Sequence, residues 1–177
     1  MKKLLLYLVG IICWLILAVP VMAQSVPISG TSAVLNSNKE VKKDTRVKRI
    51  KNFLGKYNSP ISPYAQSIVN LADQYQIDYR IVVAISGVES TFCKAIPYNS
   101  YNCWGWKNGN HAFQSYPDAL EIVSKTLGNN YYRRGFDTPE GIGPIYAPPS
   151  PAWSGNVRFF MNLMDKDISS TFLASLD

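Results

Sequence analysis

"DYRIVVAISGVESTF", residues 78–92, reads as a single short helix, and its apolar pattern sets the kind of fold around it. Asp78 is a residue type that caps helix N-termini. Ile81, Ile85, Val88 and Phe92 recur at helical spacing and share one face. Glu89 follows Val88 by one position, so at 100° per residue it falls on the border of that buried stripe. A carboxyl on such a border is half desolvated. Desolvation disfavours the charged form of a carboxyl, which is what a general acid working near neutral pH requires. An ordinary exposed glutamate near a helix end fits the same position, and periodicity does not choose between the two.

Helical punctuation continues on both sides. "SPYAQSIVNLADQYQ" opens with Ser62 and Pro63 as cap and first-turn residues and places Ile68, Leu71 and Ala72 at helix spacing. "SYPDALEIVSKTLGNNYYRRG" runs from Ser115 to a stop at Gly135, a short helical turn starts at Thr138 and Pro139, and another helix begins with Ser150 and Pro151. Strand signals are few. "YNCWGWK" and "NHAFQSY" flank "NGN", which predicts a hairpin turn. The expected fold is mainly α, one domain over residues 58–177 with a small β-hairpin beside a cleft.

Ahead of that domain stand two segments of different character. Lys2 and Lys3 precede an uncharged run from Leu4 to Ala23 with small residues at its end, the pattern of an export signal over residues 1–23. About 20 apolar residues also span a bilayer core, so an uncleaved anchor is the alternative. Both place the remainder outside the cytoplasm, secreted or at the membrane surface. Residues 24–57 read as a flexible tether followed by a basic arm. Residues 39–56 hold eight Lys or Arg against Glu40 and Asp44, a local charge of +6, whereas the chain from Tyr57 onward is close to neutral. The arm is either a solvated linker or a contact for anionic wall polymer or lipid head groups. Charge confined to an arm on an exported chain gives no reason to expect nucleic acid.

Cys13 lies in the leader, leaving Cys93 and Cys103, which in an exported chain are expected as a disulfide. The competing reading, a metal site with His111, offers three ligands at irregular spacing, and no metal or cofactor is expected. Between and beyond the cysteines the sequence concentrates Tyr98, Tyr101, Trp104, Trp106, Phe113 and Tyr116 among asparagines and glycines, and Tyr146 and Trp153 come later. Aromatic faces stack on sugar rings while amides take hydroxyl and acetamido groups. Phe113 and Phe159 are expected in the core, and Gly105 and Gly109 let backbone approach a ligand closely.

Taken together, "GVESTF", the Tyr/Asn-rich loop, "NCWGWK" and "FQSY" resemble the lysozyme-like superfamily over roughly residues 60 to 165. They are most similar to bacterial cell-wall N-acetylglucosaminidases, named for mannosyl-glycoprotein endo-beta-N-acetylglucosaminidase. Those enzymes typically carry Glu-Ser near a helix end, an Asn-Leu-Phe-Gly-Ile-Lys stretch and a Phe-x-x-Tyr turn. Glu89-Ser90, Asn102 to Lys107 and Phe113 to Tyr116 match in turn, with Trp104 and Trp106 at the hydrophobic positions around Gly105. Lytic transglycosylases share the Glu-Ser-x-Phe pattern seen at Glu89 to Phe92. Cys93 departs from the pattern, standing where a small residue or glycine is common.

The resemblance implies cleavage of β-1,4 bonds in peptidoglycan glycan strands, with Glu89 as catalytic acid and Tyr146 as a helper in the cleft. Ser90, Tyr101, Asn102, Trp104, Trp106 and Tyr116 are the expected substrate-binding residues, and the expected species is a monomer. A second carboxylate would come from Asp118, Glu121, Asp137 or Glu140, none of which sits in a telling motif. An endo-N-acetylglucosaminidase is the expectation, with a lytic transglycosylase or muramidase of the same fold, a wall-binding module without turnover, and a disulfide-stabilised adhesion or structural protein acting through its basic arm as the alternatives.

Overall fold

The computed structural model describes residues 44–173, with side chains described through residue 166. The leader, residues 24–38 and the start of the basic arm lie outside the described residues. The described residues form six helices in order: α1 (Thr45–Lys56), α2 (Ala65–Tyr75), α3 (Ile81–Ser90), α4 (Tyr116–Asn130), α5 (Pro139–Tyr146) and α6 (Trp153–Leu173). Single 3-10 turns precede α2 at Ser62–Tyr64 and follow α4 at Tyr132–Arg134. No strand occurs among the described residues, and none of their helices is long and apolar enough to cross a membrane.

The local causes of these helices are capping groups joined to an apolar stripe. Ser115 Oγ accepts from the Asp118 N–H at 3.3 Å while Asp118 Oδ2 accepts from the Gln114 N–H at 3.0 Å, so the two residues brace the start of α4 from both sides. Thr138 Oγ1 accepts from the Gly141 N–H at the start of α5. Asp78 Oδ1 accepts from the Arg80 N–H just before α3. α3 is the central element. Ile81 to Ser86 are all buried, and the helix packs against α6, while α2 packs against α4 and α5 against α6. A helix enclosed on all sides gains from every apolar face it covers, on the order of 1.5–3 kcal/mol per large side chain.

The basic arm is corrected by α1. Residues 45–56 are helical, and Ile50, Phe53 and Leu54 are fully buried, with α1 packed against α2 and α6, so the folded unit begins before residue 58. Val47, Ile50 and Leu54 lie on one helical face, a stripe that the surrounding charge obscures in the sequence. The arginines of this helix are engaged by the fold. Arg46 pairs with Asp44 and with Asp73 at 2.6 Å, and Arg49 pairs with Asp165 at 2.7 Å and also donates to Tyr79 Oη. Arg80 reaches the same Asp165, and the guanidinium groups of Arg46, Arg49 and Arg80 each lie 5.8 Å from the Tyr79 ring centroid. Charge here fastens α1 to α2, α3 and α6. Lys48 and Lys51 remain on the exposed side.

The expected hairpin is also corrected. The "NGN" region folds as consecutive tight turns: the Gly109 N–H donates to Gly105 O and Trp106 O, and the Asn110 N–H to Lys107 O. Tyr101, Gly105, Lys107, Asn108 and Gly109 all have positive φ, incompatible with two extended strands. Asn102 supplies the reason. Its buried amide donates to Trp106 O and His111 O, both at 3.0 Å, and accepts from the Trp106 N–H at 2.9 Å, taking backbone groups that a ladder would need. Phe113 is buried as expected, whereas Phe159 is 59% exposed. The buried stripe of α6 runs through Trp153, Val157, Met161 and Met164, and Phe159 points away from it.

Candidate active site

Glu89 stands in the last turn of α3, and beyond Ser90 the chain leaves the helix abruptly. Thr91, Phe92 and Cys93 have φ of 52°, 57° and 68°, three successive non-glycine residues in the left-handed region. Each costs roughly 1–2 kcal/mol for an L-residue. The turn persists because Phe92 is driven into the core, its ring 5.5 Å from Phe53 and 5.0 Å from Phe160, and because Ser59 Oγ donates to Phe92 O. The Cys93–Cys103 disulfide then ties this turn to the next loop, with Cα atoms 4.6 Å apart. Both thiols are thereby spent, which removes them as ligands beside His111. Among the described residues no three His, Cys, Asp or Glu side chains stand together as a metal site.

The disulfide brings the 101–109 loop over Glu89. Gly105, at φ +64°, lies so close that a Cβ built on it would stand 2.6 Å from Glu89 Oε2. Any larger residue there would displace the carboxyl. On the other side Trp153, the first residue of α6, donates its indole N–H to Glu89 Oε1 at 2.7 Å. Glu89 is half-buried, and Oε2 accepts no hydrogen bond from the described residues. One carboxylate oxygen is therefore fixed by a hydrogen bond, and the other lies against Gly105 without one.

Tyr146, the last residue of α5, completes the group. Its ring stacks on the Trp153 indole, centroids 5.0 Å apart at 27°, and its hydroxyl donates to Trp104 O at 2.6 Å. Burial first, then the nearby charge of Glu89, hold the Tyr146 phenol well above its ordinary pKa, so it stays a neutral donor. Gly143 makes the arrangement possible: a Cβ there would collide with Ser154 Oγ and lie 3.2 Å from the Trp153 ring, so only glycine allows α5 to close on the start of α6.

The expected substrate-binding residues divide into two sets. Ser90, Asn102 and Trp104 are buried and committed to structure. Ser90 Oγ donates toward Ser86 O and Cys103 O and accepts from the Cys93 N–H, and Trp104 Nε1 donates to Val82 O. These three hold the loop rather than face a ligand, which corrects the expectation that they grip sugar. Tyr101, Trp106 and Tyr116 are half-buried, with Tyr101 and Tyr116 in edge contact at 5.0 Å and Trp106 near Phe113 at 6.1 Å.

None of the expected second carboxylates is bonded to Glu89 among the described residues. Asp118 is bonded at the start of α4, Glu121 accepts from Tyr75 Oη, Glu140 pairs with Arg158, and the charge of Asp137 is felt at Tyr132. Trp153 is the residue whose role the sequence conceals, because its contact with Glu89 spans 64 residues. Gly105 carried a signal, a glycine between two tryptophans, which suggested close approach to a ligand; the neighbour it admits is Glu89 itself. No family model and no curated protein matches this chain.

Proposed function

We propose that the chain is an exported glycosidase that breaks β-1,4 bonds of peptidoglycan glycan strands, acting as an endo-β-N-acetylglucosaminidase with Glu89 as its single general acid. The observation that supports it most is the Glu89 carboxyl, half-buried at a helix end, with Oε1 held by Trp153 and Oε2 without a hydrogen bond among the described residues. In the proposed step Glu89 gives its proton to the glycosidic oxygen, the C1–O bond breaks, and the leaving sugar departs as an alcohol while the other acquires oxocarbenium character. Water captures that centre and returns a proton to Glu89. Two-carboxylate glycosidases hold their pair roughly 5–9.5 Å apart, and the candidate partners Asp118, Glu121 and Glu140 are each engaged elsewhere, at the start of α4, on Tyr75 and on Arg158. The substrate acetamido group can supply the stabilisation instead.

The same single-acid arrangement suits a lytic transglycosylase, in which a hydroxyl of the cleaved sugar replaces water and an anhydro end results. Tyr101, Trp106 and Tyr116 are the half-buried aromatics left to contact sugar, and Tyr146 keeps Trp153 in place. The leader and the disulfide agree with work outside the cytoplasm. Lys48 and Lys51, exposed on α1, are two lysines of the basic arm placed to meet anionic wall polymer. Incubation with purified sacculi tests the proposal. Solubilised muropeptides support it, whereas co-sedimentation without release favours a binding module and neither outcome leaves an adhesion or structural role.

A further inference from the structure

Carboxyl groups have two oxygens, and the structure treats those of Glu89 differently. Oε1 receives the Trp153 indole N–H at 2.7 Å. An indole nitrogen is a donor only, so the oxygen facing it must be an acceptor in every protonation state. A proton on Oε1 would compete with the indole N–H for that oxygen's lone pairs and weaken the bond, so the proton is favoured on Oε2. We propose that Trp153 is the positioning residue of the proton donor, and that Glu89 Oε2 is the atom that carries and releases the proton. This rests on the glycosidase reading of Glu89 and adds to it the identity of the reacting atom.

Three further features converge on Oε2. It accepts no hydrogen bond from the described residues, so a proton held there is not already shared. Gly105 lies against it, so close that a Cβ there would stand 2.6 Å away and push the carboxyl off its Trp153 bond. Trp153 cannot drift, because its indole is 2% exposed and stacked on Tyr146, which is itself bonded to Trp104 O. The chain of contacts from the 104–105 backbone through Tyr146 and Trp153 to Oε1 returns to the same loop that borders Oε2. In the step, the Oε2–H bond and the C1–O bond break, the leaving hydroxyl forms, and the resulting carboxylate keeps its Trp153 bond while water or a substrate hydroxyl completes the turnover.

Replacing the indole N–H by sulfur, Trp153→3-benzothienylalanine, preserves the ring volume and the Tyr146 stack and removes only the donor. The rate of muropeptide release at saturating sacculi is expected to fall about tenfold to a hundredfold, as for a small misplacement of a catalytic group, with co-sedimentation unchanged. A rate within twofold of wild type overturns the positioning role. A second readout needs no activity: the Trp153 indole N–H resonance in ¹⁵N–¹H spectra is expected to move with pH in the wild-type chain and to stay fixed in Glu89→Gln. An indole resonance unmoved by pH in both proteins overturns the Trp153–Glu89 bond. A wild-type chain that cleaves no glycan removes the proposed function and the proton-leaving step together, while the resonance still decides the bond by itself.

Discussion

Residues 81–86 and residues 101–109 meet at Glu89 and are built in opposite ways. The first stretch is regular helix, buried throughout, and any of its positions is explained by periodicity and apolar area. The second has almost no regular structure, with five residues at positive φ, and is held by particular atoms: the Asn102 amide, the Ser90 hydroxyl on Cys103 O, the Trp104 indole on Val82 O and the disulfide. Helix packing tolerates exchange of one apolar residue for another of similar volume. A loop held by side-chain bonds to backbone does not, because each lost bond leaves a buried polar group unpaired. The proposed chemistry sits where the two meet, with the helix presenting the carboxyl and the pinned loop lying against it.

The largest expected effect separates chemistry from both kinds of structure. Glu89→Gln keeps the acceptor for Trp153 and removes the transferable proton, so muropeptide release should fall about 10²–10⁴-fold while thermal unfolding stays near wild type. Next is Gly105→Ala on the loop side. The added methyl group meets Oε2 and is strained at φ +64°, so activity should drop about a hundredfold, with roughly 1–2 kcal/mol of stability lost in denaturant unfolding. Equal activity in this variant would show that the loop does not border the reacting oxygen.

Breaking the Cys93–Cys103 bridge by double substitution to serine should cost about 3 kcal/mol by loop entropy. The loss should be accompanied by faster amide exchange over residues 99–113 than over α3. Uniform exchange across both regions would contradict the division drawn between them. A smaller, scaffold-wide effect comes from acid. Arg46 holds the Asp44 and Asp73 carboxyls below their ordinary range, and at Asp78 burial pushes upward but the bonds to Arg80 more than offset it. A depressed folded pKa contributes stability above the unfolded value of about 3.9 and loses it as pH falls through the folded one. The unfolding temperature should therefore be flat from pH 7 to 5 and decline below about pH 4. Smallest is Asp118→Asn, which keeps an acceptor for the Gln114 N–H and forgoes only the dipole interaction, about 0.3–1 kcal/mol, with activity unchanged. A collapse of activity there would bring in a second carboxylate.

The helical half of the molecule was legible because its signals are local. The caps at Ser115 and Thr138 are residues whose chemistry acts within one turn, whereas α4 stops at Asn130, short of the expected Gly135, which instead ends the 3-10 turn that follows. α1 was hidden since eight basic residues across the arm outweighed a stripe of four apolar ones, and its arginines are ion-pair partners rather than a solvated run. The hairpin failed for a related reason. Asn and Gly at 108–110 suit any positive-φ turn, and what chose among turns was the Asn102 side chain several residues earlier. At the site, the position of Glu89 on the edge of the apolar stripe was readable. The Trp153 bond and the burial of Ser90, Asn102 and Trp104 were not, since contacts between remote segments leave no period in the sequence.

The central claim is that Glu89 protonates a glycosidic oxygen of peptidoglycan. Mass spectrometry of the glycan ends produced from purified sacculi tests it most directly, with wild type and Glu89→Gln run in parallel. The account predicts a single class of new ends from the wild-type chain, reducing N-acetylglucosamine for the proposed hydrolase or anhydro ends for the transglycosylase, and almost none from the variant. New ends in equal yield from Glu89→Gln, or none from the wild type, would contradict it.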